Sequence, residues 1–257
     1  VESGPGVSNL SIGDRVLTYG GFRETHVRSE ERCWKLPPQI SWKSAVCLDP
    51  ADFALAAVRD GNVRVGDAVA ILGMGAIGLM ALQIARVAGA FPIIAVEPLE
   101  SRRALARRLG ADLVLDPTTC DAGLEIKKAT GKRGADVVIE YSGSRRALQD
   151  AFRAVAFGGN VVAGAYPPPY DAGLDLGAEA HINIPNLIFS RACSEPSRDY
   201  PRWSEDRIFE VCLRLLIEGR ISGEDVVTPV VSFAELMQAY PRIATDPAAY
   251  IKLGVVF

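Results

Sequence analysis

Residues Val69–Gly78 read VAILGMGAIG, and Ile93–Pro98 read IIAVEP. An apolar run enters three glycines in a G-x-G-x-x-G frame. A second apolar run ends on Glu97, 19 residues after Gly78. A strand, a tight turn, a helix and an acid at that distance meet the requirements of a bound dinucleotide. Gly73 permits the sharp turn, and Gly75 lets the backbone approach a pyrophosphate with no Cβ between them. Gly78 lets the helix pack closely on the sheet. The helix start, with Ala76 and Ile77 in its first turn, offers unpaired N–H groups and the positive end of the helix dipole. Glu97 can accept hydrogen bonds from both hydroxyls of an adenosine ribose. Two other readings of the same residues are a strand–turn–helix without a ligand and an S-adenosylmethionine methyltransferase, and the flanking sequence disfavours the latter.

Glu97 also bears on the choice of cofactor. A carboxylate repels a 2′-phosphate, so NAD is expected over NADP. Arg102 and Arg103 follow closely and can in principle hold such a phosphate. A solvated helix face is the plainer reading of both.

Outward from this stretch, strand-like and helix-like segments alternate. Asp67–Gly73 reads as a strand buried on both faces, and Ala76–Ala90 as a helix apolar on most sides. Further strands are expected at Ile93–Glu97, Leu113–Asp116, Ala135–Tyr141, Asn160–Ala165 and Leu187–Cys193. Helices are expected near Ser101–Leu109, Ala122–Ala129 and Arg145–Phe157. Such alternation predicts βαβ crossovers and a doubly wound parallel sheet, an α/β fold. The flanks differ. Residues 1–50 are turn-rich and short-stranded, as in an antiparallel β domain. Residues 204–257 offer a helix (Ser204–Glu218), a helix opening on the capping-box pair Ser232 and Glu235, and a last strand, YIKLGVVF.

The net charge of −3 over 257 residues provides no field for a phosphate backbone, which argues against nucleic acid. No apolar run approaches the roughly 18 residues a membrane span requires. The five cysteines (Cys33, Cys47, Cys120, Cys193, Cys212) are scattered and form no C-x-x-C pair, so reduced thiols in a cytoplasmic protein are expected. The sequence opens at Val1, without a methionine, and so says nothing of a targeting segment.

Taken together, GVSNLSIGDRV (Gly6–Val16), GDAVAILGMGAIGLMALQIARVAGA, RRLGADLVLDP (Arg107–Pro117) and YIKLGVVF resemble the medium-chain dehydrogenase/reductases of the zinc-type alcohol dehydrogenase kind. The motifs occur in that family's order along essentially the whole chain. The resemblance implies a Rossmann domain inserted in a partial GroES-like β-barrel catalytic domain. The barrel would take 1–50, the Rossmann domain 51–195, and the return to the catalytic domain 196–257. It further implies an NAD-dependent oxidoreductase that transfers a hydride between a secondary alcohol or polyol and the nicotinamide. Zinc would assist in the complete protein, and the protein would form a homo-oligomer such as a homodimer. The substrate is expected to be a small alcohol or carbonyl compound. Two alternatives stay open: a zinc-free quinone or enone reductase of the same family, and a non-catalytic dinucleotide-binding protein.

The family's segment before GDRV, with its zinc-ligand cysteine and Gly-His-Glu motif, does not occur in these residues, and we expect the sequence to be incomplete at its N-terminus. The structural zinc lobe is also missing between Tyr19 and Trp34. By the same resemblance Asp49, in an acid-Pro step, falls on the third catalytic-zinc position, where an acid can ligate zinc. A helix-capping role is an equal alternative for it. Cys47 reads as a small buried residue. Ser142 and Gly143 match the passage past the cofactor riboses, and Gly164, between Ala163 and Ala165, the place where a nicotinamide lies on the backbone. All could equally be plain strand exits, although their place at the carboxyl ends of strands favours cofactor contact. Lys252 matches a position that carries a basic residue to the cofactor phosphates, or is an ordinary edge lysine. His26 and His181 suit surface or outer positions. The arginine-rich loop Arg191–Trp203 either shapes a substrate pocket, makes an intersubunit contact, or forms surface ion pairs. No residue can be assigned a catalytic role from the sequence.

Overall fold

A computed structural model describes residues 2–192, 194–195 and 199–257. Cys193 and residues 196–198 of the arginine-rich loop lie outside the described residues. The chain forms two compact units: Val1–Leu48 with Leu213–Phe257, and Asp49–Cys212. The second runs past the division expected at 195/196.

The first unit begins with β1 (Val16–Leu17) antiparallel to β2 (Trp34–Lys35), as the turn-rich sequence predicts. Helix α1 (Trp42–Ala45) follows, capped by the Ser41 hydroxyl, which accepts from the Ser44 N–H. Helix α2 (Leu48–Asp60) leads into the second unit.

That unit holds β3 (Val69–Leu72), α3 (Ala76–Val87), β4 (Ile93–Val96), α4 (Glu100–Arg108), β5 (Leu113–Leu115) and α5 (Ala122–Ala129). It continues with β6 (Ala135–Glu140), α6 (Arg145–Ala154), β7 (Val155–Ala163), α7 (Glu179–Asn183) and β8 (Asn186–Phe189), and ends within α8 (Glu205–Ile217), whose last residues from Leu213 belong to the first unit. The strands form one parallel sheet in the order β5-β4-β3-β6-β7-β8. The order reverses between β3 and β6, which places a crevice at the carboxyl ends of these two strands. Every residue of β3 and β4 is buried, as their uninterrupted apolar runs predict. Each large aliphatic among them, such as Ile71 or Ile94, contributes about 1.5–3 kcal/mol through burial.

The largest departures from expectation lie around β7, which begins at Val155 rather than Asn160, and at β8. Helix α6 stops at Ala154 rather than Phe157, because Val155 turns to extended geometry (ψ 147°) and pairs with Ala135 across a bulge. Strand β8 begins at Asn186 and ends at Phe189, short of Cys193.

In the C-terminal part of the first unit, β9 (Val227–Ser232) runs parallel to β10 (Lys252–Val256). The capping box of Ser232 and Glu235 is formed, on a 3₁₀ turn that continues into α9 (Leu236–Ala239). No helix among the described residues is long and apolar enough to cross a membrane.

Candidate dinucleotide site

The three glycines of the β3–α3 turn differ in why they must be glycine. Gly73 has φ +95°, and a Cβ there would stand 2.7 Å from the Ser142 backbone nitrogen. A Cβ on Gly78 would meet the Gly73 carbonyl oxygen at 1.9 Å, so α3 packs on the turn only without a side chain. Both are demanded by the fold. Gly75 is not. Its backbone is ordinary extended chain (φ −73°, ψ −172°), and a Cβ would find only the Arg102 Nη1, at 4.0 Å. Helix α3 opens at this residue with no side-chain cap, so its first turn, through Ala76 and Ile77 to Gly78, presents a bare helix N-terminus. Open space over a glycine at an uncapped helix start is what an approaching phosphate requires.

Glu97 follows β4 and is 3% exposed. Its Oε2 accepts from the Met74 N–H at 2.7 Å and its Oε1 from the Leu99 N–H at 3.0 Å. The acid thus fixes the glycine turn from below. A carboxylate has about four lone-pair sites, so two remain for hydroxyls.

The two arginines after it part company. Arg103 is not a solvated helix residue. Its side chain is 11% exposed and pairs with Glu100 at 2.8 Å and Asp116 at 3.0 Å. It also donates to the carbonyls of Glu97 and Pro98, tying the strand end to the start of α4. Arg102 instead reaches the mouth of the glycine turn, beside Gly75.

Across the sheet reversal, β6 ends on Glu140, which is 2% exposed. Its carboxylate accepts from the Ser142 and Gly143 N–H groups at 2.6 and 3.0 Å and from the Ser142 hydroxyl. Burial pushes its pKa up, and the Ser142 and Gly143 hydrogen bonds pull against that. Gly143 sits at φ +69°, in the left-handed region. Gly164, beyond β7, has an internal reason to be glycine: a Cβ would strike the Tyr141 ring at 2.5 Å. That ring is held by its hydroxyl, which donates to the Phe53 carbonyl at 2.7 Å.

Gly73, Gly75, Ala76, Ile77, Gly78, Glu97, Ser142, Gly143 and Gly164 therefore share the carboxyl ends of neighbouring strands in one unit. Lys252, the first residue of β10, belongs to the other unit. His26 and His181 are exposed. Cys47 is buried against Gly223 in the first unit.

Asp49 is exposed in the first turn of α2. No group of three or more metal-ligating side chains gathers among the described residues. The described residues do not make a zinc shell by themselves.

One residue that sequence reasoning passed over is Asp52, one helical turn beyond Asp49. It is buried in α2 with no hydrogen-bond donor among the described residues. Burial, with Glu205 and Asp49 nearby, pushes its pKa up to about 6. Glu140 was legible only as a strand end. The available signal was its pattern, an acid closing an apolar run just as Glu97 does.

The parallel sheet with its glycine turn and its reversal of strand order is an α/β fold of the Rossmann type. A family profile described as zinc-binding dehydrogenase matches residues 76–196. The chain belongs to this zinc-type, medium-chain alcohol dehydrogenase family of oxidoreductases, which use NAD(P). It is 48% identical to the D-guloside 3-dehydrogenase of Escherichia coli K12, over 100% of this chain and 75% of that protein. It is 30% identical to the (R,R)-butanediol dehydrogenase of Bacillus subtilis 168, over 93% of this chain and 72% of that protein. The crystal structure of the B. subtilis 2R,3R-butanediol dehydrogenase superposes with a TM-score of 0.74 at 28% identity, over 88% of this chain. The present chain spans 61% of that solved chain.

Proposed function

We propose that this protein is an NAD-dependent dehydrogenase that oxidises a secondary hydroxyl of a polyol or sugar glycoside. The observation that carries the cofactor is Gly75, a glycine that no packing among the described residues requires, at an uncapped helix N-terminus. The pyrophosphate takes the space over it, hydrogen-bonded to the first-turn amides of α3. Glu97, already oriented by Met74 and Leu99, turns its remaining lone pairs to the adenosine ribose hydroxyls. Ser142, Gly143 and Gly164 border the path toward the nicotinamide, and Lys252 is assigned to the cofactor phosphates. The bound nicotinamide supplies the hydride acceptor. The substrate class is supported by the likeness to D-guloside 3-dehydrogenase, whose name specifies a sugar hydroxyl.

NAD is preferred over NADP because a 2′-phosphate would face the buried Glu97 carboxylate, while Arg103 is committed to Glu100 and Asp116 and cannot neutralise it. The protein forms a homo-oligomer through the edge of β8, whose Leu187 and Phe189 are exposed, as are Ile182 and Ile184 just before it in the chain. An unprotected apolar edge strand pairs readily with its own copy about a two-fold axis. The absence of any disulfide among the described cysteines suits the cytoplasm.

Fluorescence titration with NADH and NADPH tests the cofactor assignment. NADH should bind about tenfold tighter or more, a difference of roughly 1.4 kcal/mol. NADPH binding equally or more tightly overturns the role given to Glu97.

A further inference from the structure

We infer that Glu140 is a positioning residue of the dinucleotide site, whose buried carboxylate holds the Ser142–Gly143 loop in register against the glycine turn. The inference rests on the dinucleotide reading above.

Three contacts run in series. The Glu140 carboxylate binds the N–H groups of Ser142 and Gly143 and the Ser142 hydroxyl. The hydroxyl accepts in turn from the Ser144 N–H at 3.1 Å, so α6 starts from the same fixed point. The Ser142 backbone then abuts Gly73, where a Cβ would leave only 2.7 Å. A displacement of the loop therefore reaches the first glycine of the turn directly. The main chain of Glu140 adds a second tie, since its carbonyl accepts from the N–H groups of Gly164 and Ala165 at 3.0 and 3.2 Å. One residue thereby anchors the exits of both β6 and β7, on which three of the proposed cofactor contacts lie.

The choice of a carboxylate is informative. Placing an acid at 2% exposure opposes its ionisation, as the upward shift of its pKa shows. The carboxylate offsets part of that penalty by taking several donors at once. Ser142 itself is exposed, so the carboxylate fixes from beneath a loop that faces outward. Pre-organisation of this kind lowers the ordering cost that a flexible loop imposes on its ligand.

The test compares Glu140→Ala, Glu140→Asp and Glu140→Gln in the full-length protein, measuring the NADH dissociation constant by fluorescence beside the thermal midpoint. Glu140→Ala should weaken NADH by about 10- to 100-fold. Glu140→Asp, one methylene short but still charged and the gentler change to the fold, should weaken it by at least about fivefold. Glu140→Gln should recover most of the affinity, because its amide oxygen still accepts from the two backbone N–H groups. If the folded Asp and Ala variants bind NADH like the wild type, whatever their midpoints, the inference fails while the dinucleotide site stands. If the Gln variant binds no better than Ala, position is not what the carboxylate supplies, and the inference also fails. A wild-type protein that binds no NADH removes the site reading itself.

Discussion

Replacing Gly75 with valine separates the two meanings of a glycine turn. The backbone at Gly75 is extended (φ −73°, ψ −172°), a region that β-branched residues favour. A Cβ there meets nothing nearer than the Arg102 Nη1 at 4.0 Å. The folded state should therefore accept the side chain, and loss of glycine's extra freedom in the unfolded chain favours the variant by about 0.4–1 kcal/mol. Binding should suffer instead. A phosphate drawn to the amides of α3 would have to occupy the volume of the new methyl groups. Losing two charge-assisted hydrogen bonds at about 1.5 kcal/mol or more apiece removes about 3 kcal/mol, which is a factor of roughly 100 in Kd. Gly73→Ala is the control. It places a side chain at φ +95° against the Ser142 nitrogen, so the midpoint should fall, by about 2–4 °C for each kcal/mol of strain. The assay is NADH fluorescence titration paired with thermal melting of both variants. The reasoning is refuted if Gly75→Val binds NADH with wild-type affinity, or if its midpoint falls as far as that of Gly73→Ala.

Asp52 yields a stability prediction. Its pKa is raised to about 6 in the folded protein, so the native state holds the proton more tightly than the unfolded chain does. That contribution is complete below the unfolded value near 3.8 and is lost as pH rises through about 6. Asp52→Asn should therefore be more stable than wild type at pH 8, by at most about 3 kcal/mol, with the advantage shrinking toward pH 4.5. Identical melting-versus-pH curves for the two proteins would show that Asp52 carries no such charge penalty. At the sheet edge, Leu187→Lys with Phe189→Lys should convert the oligomer to monomer in sedimentation velocity while NADH binding persists. A wild-type monomer, or a variant that stays assembled, contradicts the β8 interface.

The centre of the sheet was legible because VAIL and IIAV are short apolar runs with turn residues on either side, and burial on both faces leaves no other use for them. Legibility declined toward the edge. Strand β8 exposes Leu187 and Phe189, so its apolar residues mark an edge rather than a core, and the run expected to Cys193 ends early. Helix α6 was overextended because nothing in the order Val155-Ala156-Phe157 announces a bulge against Ala135. The glycine turn could be named from spacing, but the separate reasons for its glycines could not. Only the folded chain shows that Gly78 is closed by the Gly73 carbonyl while Gly75 faces open space. The packing beside Gly164 and the pairing of Arg103 were illegible for a related reason. Tyr141 fills the space beside one, and Asp116, distant in sequence, pairs with the other.

The buried acids of the second unit show what decides the use of such a group. Glu97 and Glu140 both close an apolar strand and are almost equally buried, yet each has backbone N–H groups waiting within reach. Those donors belong to loops that regular structure leaves with unpaired amides, so the carboxylate satisfies them and fixes the loop in the same act. Asp52 is also buried, but it lies inside a helix whose amides already have partners, and it is left with neighbouring acids in place of donors. The same residue chemistry thus organises a site at a strand end and strains the fold in a helix interior. An acid at the end of a buried apolar strand is accordingly a signal for a held loop: Glu97 holds the Met74 amide next to Gly73, and Glu140 holds Ser142, whose backbone abuts Gly73, where the sheet order reverses.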